Sequence, residues 1–288
     1  MNRLLPLLIL FCCSLGAQEM TIKGDLEWER MELSAVLVLD LQKGGIKLPA
    51  GRSQAEALLK DKFPDMLKPF IMEIQADSSS TVADLIERGE LSSGAFMQKV
   101  RALPPTLSPD QSNISSRYSV NLTGISAELV RHSRPQRIAA PLIPAPVRDY
   151  TGIIIIADES LPFHGHSGVV EALPCLFPKI WDSEMNLVFE RNMVDPQIGR
   201  TAGLVRYTNR ESIMRAVPSA MDEDLIKRVG ENPLRIMARG IFGAIPTDPI
   251  IDKEDALLIL SSENNRRLLT EGRVAIVLDK KGLKKSIP

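Results

Sequence analysis

The chain has 288 residues, 44% hydrophobic and 25% charged, a profile that fits one large globular domain or two ordinary ones. With 35 Lys and Arg against 36 Asp and Glu, it has neither the basic excess of a nucleic-acid binder nor an acidic solvating tail. Aromatic residues make up only 5%, too few for the stacking surfaces that grip glycans or single strands.

Residues 1–17 read as a secretion signal. Arg3 supplies the positive charge, Leu4 to Cys13 is apolar apart from Pro6, and Gly16-Ala17 offers small residues for cleavage before Gln18. A run of about ten apolar residues is too short for a permanent anchor, which needs about twenty. Cys12 and Cys13 raise the alternative of a lipid-modified amino terminus. Such a site wants a small residue before the cysteine, and Phe11 and Cys12 occupy those places. Ordinary apolar residues of the signal are the preferred reading of the pair. The expected location is therefore outside the cytoplasm: periplasmic, with envelope association open.

The chain after the signal opens with strand-like text at Met20–Lys23, a turn predicted at Gly24-Asp25, and a β-rich run from Leu33 to Leu39 ending at Asp40. Gly44-Gly45 breaks that run. Ser53 to Glu56 has capping-box spacing for a helix carrying Ala55, Leu58, Leu59 and Phe63. Pro64 and Pro69 then predict a break, with a strand over Phe70 to Ile74. A second helix is predicted from Thr81, with Val82, Leu85 and Ile86 on one face. Ser108-Pro109-Asp110-Gln111 reads as another helix start, and Tyr118 to Leu122 alternates as a strand.

Between Arg134 and Pro146 stand four prolines, Pro135, Pro141, Pro144 and Pro146. Such text resists helix and sheet interiors. It predicts a linker at 134–147 between an amino-terminal domain, 18–133, and a carboxy-terminal domain, 148–288; a stiff loop within one domain is the alternative. The second half begins with Ile153-Ile154-Ile155-Ile156-Ala157, a strand buried on both faces. Further strands are predicted at Gly203 to Tyr207, Leu234 to Ala238 and Val274 to Leu278, with a helix capped at Asp252. The terminal lysines, Lys280, Lys281, Lys284 and Lys285, read as a frayed, solvated end. Strands and helices mix without strict alternation, so the class is α+β, with mixed sheets, packed helices and two α/β halves.

Candidate chemistry is sparse. No Gly-x-Ser-x-Gly, Gly-x-x-x-x-Gly-Lys or Gly-x-Gly-x-x-Gly occurs. His164-Gly165-His166 is the one local metal-like pattern, and Asp158, at the carboxyl end of the Ile153 to Ile156 strand, is where acids of α/β sheets act. Glu159, Asp182, Glu184 and Asp195 could extend a carboxylate cluster around it. Against this, zinc wants three or four protein ligands, and the chain offers only one more histidine, His132. Asp158, His164 and His166 are thus weak metal candidates, and solvated loop side chains are the plainer reading. No catalytic residue and no cofactor is assigned. After cleavage only Cys175 remains, so no internal disulfide is expected. Its setting, Leu173 to Phe177, predicts a buried thiol. No further apolar stretch is long enough for a transmembrane helix.

The segments Tyr150-Thr151-Gly152 with the isoleucine strand, Pro174 to Pro178 with Trp181-Asp182, Val229-Gly230-Glu231-Asn232-Pro233, and Thr247-Asp248-Pro249 together resemble exported proteins of spirochaetes, most of them without an assigned activity. Over about residues 148–279 the same order of elements is distantly similar to domains of bacterial outer-membrane lipoproteins and of the flagellar assembly protein FlgT. The shared motifs are turn and strand signals. The resemblance implies a non-enzymatic structural or interaction protein of the cell envelope, with protein partners and a link to flagellar or envelope assembly. The alternative is an exported metal-binding protein or hydrolase using Asp158, His164 and His166.

Overall fold

The structure is a computed structural model and describes residues 20–92, 94, 100–213 and 222–287. The signal at 1–17, with Cys12 and Cys13, lies outside the described residues.

The first half is an antiparallel sheet with a long helix against it. β1 (Met20–Glu27) and β2 (Glu32–Asp40) form a hairpin, and β2 pairs along its whole length with β7 (Asn113–Asn121). Alternation decides the faces: Leu33, Ala35, Leu37 and Leu39 point inward, while Ser34, Val36 and Val38 lie on the wetter side. The predicted turn at Gly24 does not exist, because β1 runs through it. A Cβ there would sit 2.2 Å from the Ser34 carbonyl oxygen, so the glycine serves close strand approach instead. The real turn is at Trp28–Met31, with Met31 at φ 51°.

Helix α1 spans Arg52–Met72 and passes through both prolines. Its buried residues, Ala55, Leu59, Phe63, Leu67 and Ile71, recur every fourth position. Pro64 and Pro69 fall on the exposed side, where carbonyls freed by the missing amides can bond water, so the apolar stripe overrides the breaks. The strand expected over Phe70 to Ile74 is the end of this helix and its exit. The capping box at Ser53 is also corrected: the N-cap is Gly51, with no side-chain cap, and Ser53 lies inside the helix. After α1 come the small hairpin β3 (Gln75–Asp77) and β4 (Ser80–Thr81), then α2 (Val82–Glu87). The helix starts at Thr81 as expected, and Thr81 and Asp84 form a reciprocal capping box there.

Short strands β5 (Arg101–Ala102) and β6 (Thr106–Leu107) both pair with β7. The helix expected at Ser108 is a hairpin loop. Asp110 accepts from the hydroxyls of Ser108 and Ser112, bonds that pull its carboxyl down to about 2, and Gln111 sits at φ 58°. Helix α3 (Leu122–Leu129) follows β7 directly.

Residues 134–147 carry no helix or strand. They lie on the surface, with Leu142 and Ile143 fully exposed, and are tied to the second half by Gln136 N to the Asn192 carbonyl (2.7 Å) and Ala145 N to Ser261 Oγ (2.9 Å).

The second half is built on a parallel sheet. β8 (Ile153–Ile156) is central, and hairpin β9 (Leu161–Pro162) and β10 (Val169–Val170) follows it. A mixed sheet then begins with β11 (Ile180–Asp182) and β12 (Leu187–Phe189). Helix α4 (Pro196–Ala202) leads to β13 (Arg206–Thr208), with α5 (Arg210–Ile213) and α6 (Glu223–Val229) after it. β14 (Leu234–Met237) flanks β8, and β15 (Gly240–Phe242) and β16 (Asp248–Ile251) complete the mixed sheet, in order β12-β11-β16-β15. Helices α7 (Lys253–Ser261) and α8 (Glu263–Thr270) precede β17 (Val274–Val277). The parallel order is β13-β17-β8-β14.

The isoleucine run is buried on both faces, as read. Ile154 packs with Ile213, Leu225 and Val229 under α5 and α6, while Ile153 and Ile155 face the main core. Gly152 lets α6 approach the start of β8, since a Cβ there would meet the Val229 carbonyl oxygen at 2.4 Å. Asp252 is the N-cap residue of α7 as expected, but its side chain makes no cap bond; its carboxylate pairs with Arg239 (2.7 Å).

The halves do not keep separate cores. One cluster of buried side chains runs from Leu26 through both sheets to Leu283. Main-chain bonds cross the junction: Leu176 N to the Gln75 carbonyl (3.0 Å), Phe177 N to Ala76 (2.8 Å) and Ile245 N to Ser78 (2.9 Å). The carboxy-terminal lysines are not frayed. β18 (Lys284–Ile287) adds to the edge of the first sheet beside β1. Lys284 meets Asp25 and Glu27 at 3.4 Å each, and Lys285 meets Glu73 at 3.0 Å.

Candidate functional site

Asp158 stands where the sequence placed it, just beyond the carboxyl end of β8. Beside it are the loops after β13 and β17, and together they line a crevice of about 380 Å³. Its carboxylate is already engaged. Arg210, at the start of α5, donates from Nε to one Asp158 oxygen and from Nη2 to the other (2.8 Å). The same guanidinium reaches Glu159 (2.9 Å). The fork-to-fork pair raises the Arg210 pKa through the bonds and charge of Asp158. Sequence reasoning missed Arg210, which lies fifty-two positions away with no motif linking it to Asp158.

The other acids have local structural work. Asp182 accepts from the amides of Glu184 (2.9 Å) and Asn186 (2.8 Å) and closes a turn. Glu184 pairs with Lys253 (2.7 Å), and Asp195 caps α4 through the amides of Gln197 and Ile198. His164 and His166 lie on a turn against β15, and each meets an aromatic ring. His166 stacks on Phe163 at 4.2 Å between centroids, and His164 sits edge-on to Phe242 at 5.8 Å. The third histidine, His132, bonds the Val194 carbonyl (2.8 Å). Among the described residues, no group of three or more His, Cys, Asp or Glu comes together to hold a metal ion.

Cys175 is fully buried, as its apolar setting predicted. Burial first, and then the charge of Asp248, push its thiol far above the usual range, so it is neither a ready nucleophile nor a metal ligand.

An apolar concavity lies at the junction of the halves. A cleft of about 480 Å³ is walled by Leu26, Trp28, Leu33, Phe70 and Ile74 on one side and by Leu173, Pro174 and Ile245 on the other. Glu73 and Lys285, themselves paired, supply charge to its lining. Leu173 is 40% exposed there. No sequence signal marked this cleft. Its lining comes from five separated stretches of chain, four that read as ordinary core and a last one, with Lys285, that reads as a solvated end. Geometrically it can take an apolar side chain or short segment, oriented by a charged pair.

Fold and cleft together define an α+β protein of two halves fused through one core, with an apolar recess at the seam. Residues 19–128 match the family model described as Treponema pallidum Tp0624, N-terminal domain, and residues 152–280 match the one described as Treponema pallidum Tp0624, second domain. The chain is thus similar to spirochaetal protein domains over both halves, including the first, for which the sequence alone suggested no relative. No curated protein is matched.

Proposed function

We propose that this protein is a non-enzymatic structural or interaction protein of the bacterial envelope. It is exported to the periplasm and uses the junction cleft to receive an apolar segment of a protein partner. The cleft carries this reading: it combines apolar walls, one partly exposed leucine and a charged pair, the makings of a small docking pocket. The carboxylates and histidines with catalytic potential support it too, because salt bridges, turn amides and aromatic rings already occupy them. Flagellar or envelope assembly is the setting implied by the resemblance of the sequence to FlgT-type and lipoprotein domains, while the family models matched are those of the Tp0624 domains alone.

Leu173→Glu is the test, since a charge at this exposed position spoils the cleft without entering the core. Partners that co-purify with wild-type protein from native envelope should be lost with the variant, while its unfolding temperature stays within about 2 °C of wild type. Undiminished capture of the same partners by a folded variant would refute the cleft as the docking site.

A further inference from the structure

A second recess, about 670 Å³, lies where the β1–β2 turn meets the end of α4, β13 and α6. Its lining holds five cationic side chains, Arg30, Arg206, Lys227, Arg228 and Arg273, against two acidic ones, Asp224 and Glu271.

Arg228 is the unusual member. Its guanidinium donates to the carbonyls of Ala202 (3.3 Å), Gly203 (2.8 Å) and Leu204 (2.6 Å), closing the carboxyl end of α4 and its exit. Its Nε is buried and has no partner. Among the described residues, no carboxylate lies within 4.0 Å of it. Burial, and then the charge of Arg206, pull its pKa down to about 10. Arg206 is itself only loosely compensated, with Asp222 at 4.0 Å and Asp224 at 3.9 Å. Arg273 shares Glu271 with Arg267.

A buried cation without a counter-charge is costly, and an arginine cannot relieve the cost by losing its proton. Three carbonyl dipoles answer part of that charge. An anion in the recess would answer the rest.

We propose that this recess is a binding site for a doubly charged, phosphate-type oxyanion, free or carried on an ester, held by Arg206 and Arg273 with the charge of Arg228 behind them. Guanidinium forks match the several acceptors of a tetrahedral oxyanion, and its charge would stand opposite Arg228, the one lining cation with no carboxylate of the described residues within 4.0 Å; Arg30 has Glu27 at 3.5 Å and Lys227 has Asp224 at 3.4 Å.

The test is calorimetric titration of the folded chain with inorganic phosphate, with glycerol 3-phosphate, and with acetate and chloride at matched ionic strength. Both phosphates should bind, acetate and chloride should not, and Arg206→Gln should weaken phosphate binding by about tenfold or more, with Arg206→Lys in between. Tighter binding of the ester would show that the recess accepts an ester-borne phosphate, and equal binding that the oxyanion alone is read. Arg206 is chosen over Arg228 because Arg228 closes a helix end and its loss could unfold the chain. Indifference to phosphate, equal binding of acetate, or an unchanged affinity in a folded Arg206→Gln protein would each overturn the proposal.

Discussion

Asp248 gives the sharpest energetic test of how the halves are joined. It opens β16 and is completely buried. Its oxygens accept from the Lys179 amide (3.1 Å), Thr247 Oγ1 (3.0 Å) and Trp181 Nε1 (3.4 Å), and the hydroxyl of Ser78, from the first half, acts with them to lower its pKa. Asp248→Ala would strand several donors in the interior, each at a cost of about 1–3 kcal/mol, while relieving the desolvation of one carboxylate. The expected net loss is about 3 kcal/mol. Asp248→Asn keeps the volume and one acceptor, so about 1–2 kcal/mol is expected. The pH dependence separates charge from shape. Burial raises the Asp248 pKa in the folded state more than its donated bonds lower it. Between the unfolded value and this raised one, the folded chain binds the extra proton. The stabilisation from protonation is therefore complete below the unfolded pKa and fades as pH rises through the folded one. Asparagine cannot titrate, so its cost relative to wild type should shrink from acid toward alkaline pH. Urea unfolding followed by the fluorescence of Trp28 and Trp181, one in each half, measures this directly. A cost that grows with pH, or an Asp248→Ala protein as stable as wild type, would refute the reasoning.

Two further outcomes are expected. Changing His164 and His166 together to alanine should cost no more than about 1 kcal/mol, the worth of two ring contacts at a turn, with no added effect of a chelator on wild type; stoichiometric metal in purified protein, lost in the double variant, would reverse that reading. Intact-mass measurement of protein isolated from native cells should place the amino terminus within about two residues of Gln18 and find no lipid; a diacylglycerol adduct on Cys12 or Cys13 would make it a lipoprotein instead.

What could be read from sequence was what local spacing decides. The isoleucine strand, the β-rich run of β2 and the helix start at Thr81 each depend on a handful of adjacent residues, and each appears close to where spacing put it. The misreadings came where distant packing outweighed a local signal. Pro64 and Pro69 are strong breakers, yet five buried side chains on the opposite face of α1 hold the helix through both. Gly24 signals a turn until a neighbouring strand needs the space of its missing side chain. Ser108-Pro109-Asp110 would start a helix as readily as a hairpin, and the pairing of β6 with β7 decides for the hairpin.

The site residues follow the same division. Asp158 was legible because strand ends are, whereas Arg210, which neutralises it, and the walls of the junction cleft were not, because only tertiary contact brings them in. The proline-rich stretch shows the limit most clearly. It lies on the surface without helix or strand, as its composition requires, but composition carries no information about what the chain does on either side. Here β3 lends its carbonyls to residues 176 and 177, and the last strand returns across the whole sequence to β1. A cut in the proline stretch would therefore separate the halves in sequence while leaving a sheet edge and three cross-junction main-chain bonds still holding them together. The cleft proposed for docking exists only because of that joining, since neither half alone supplies both of its walls.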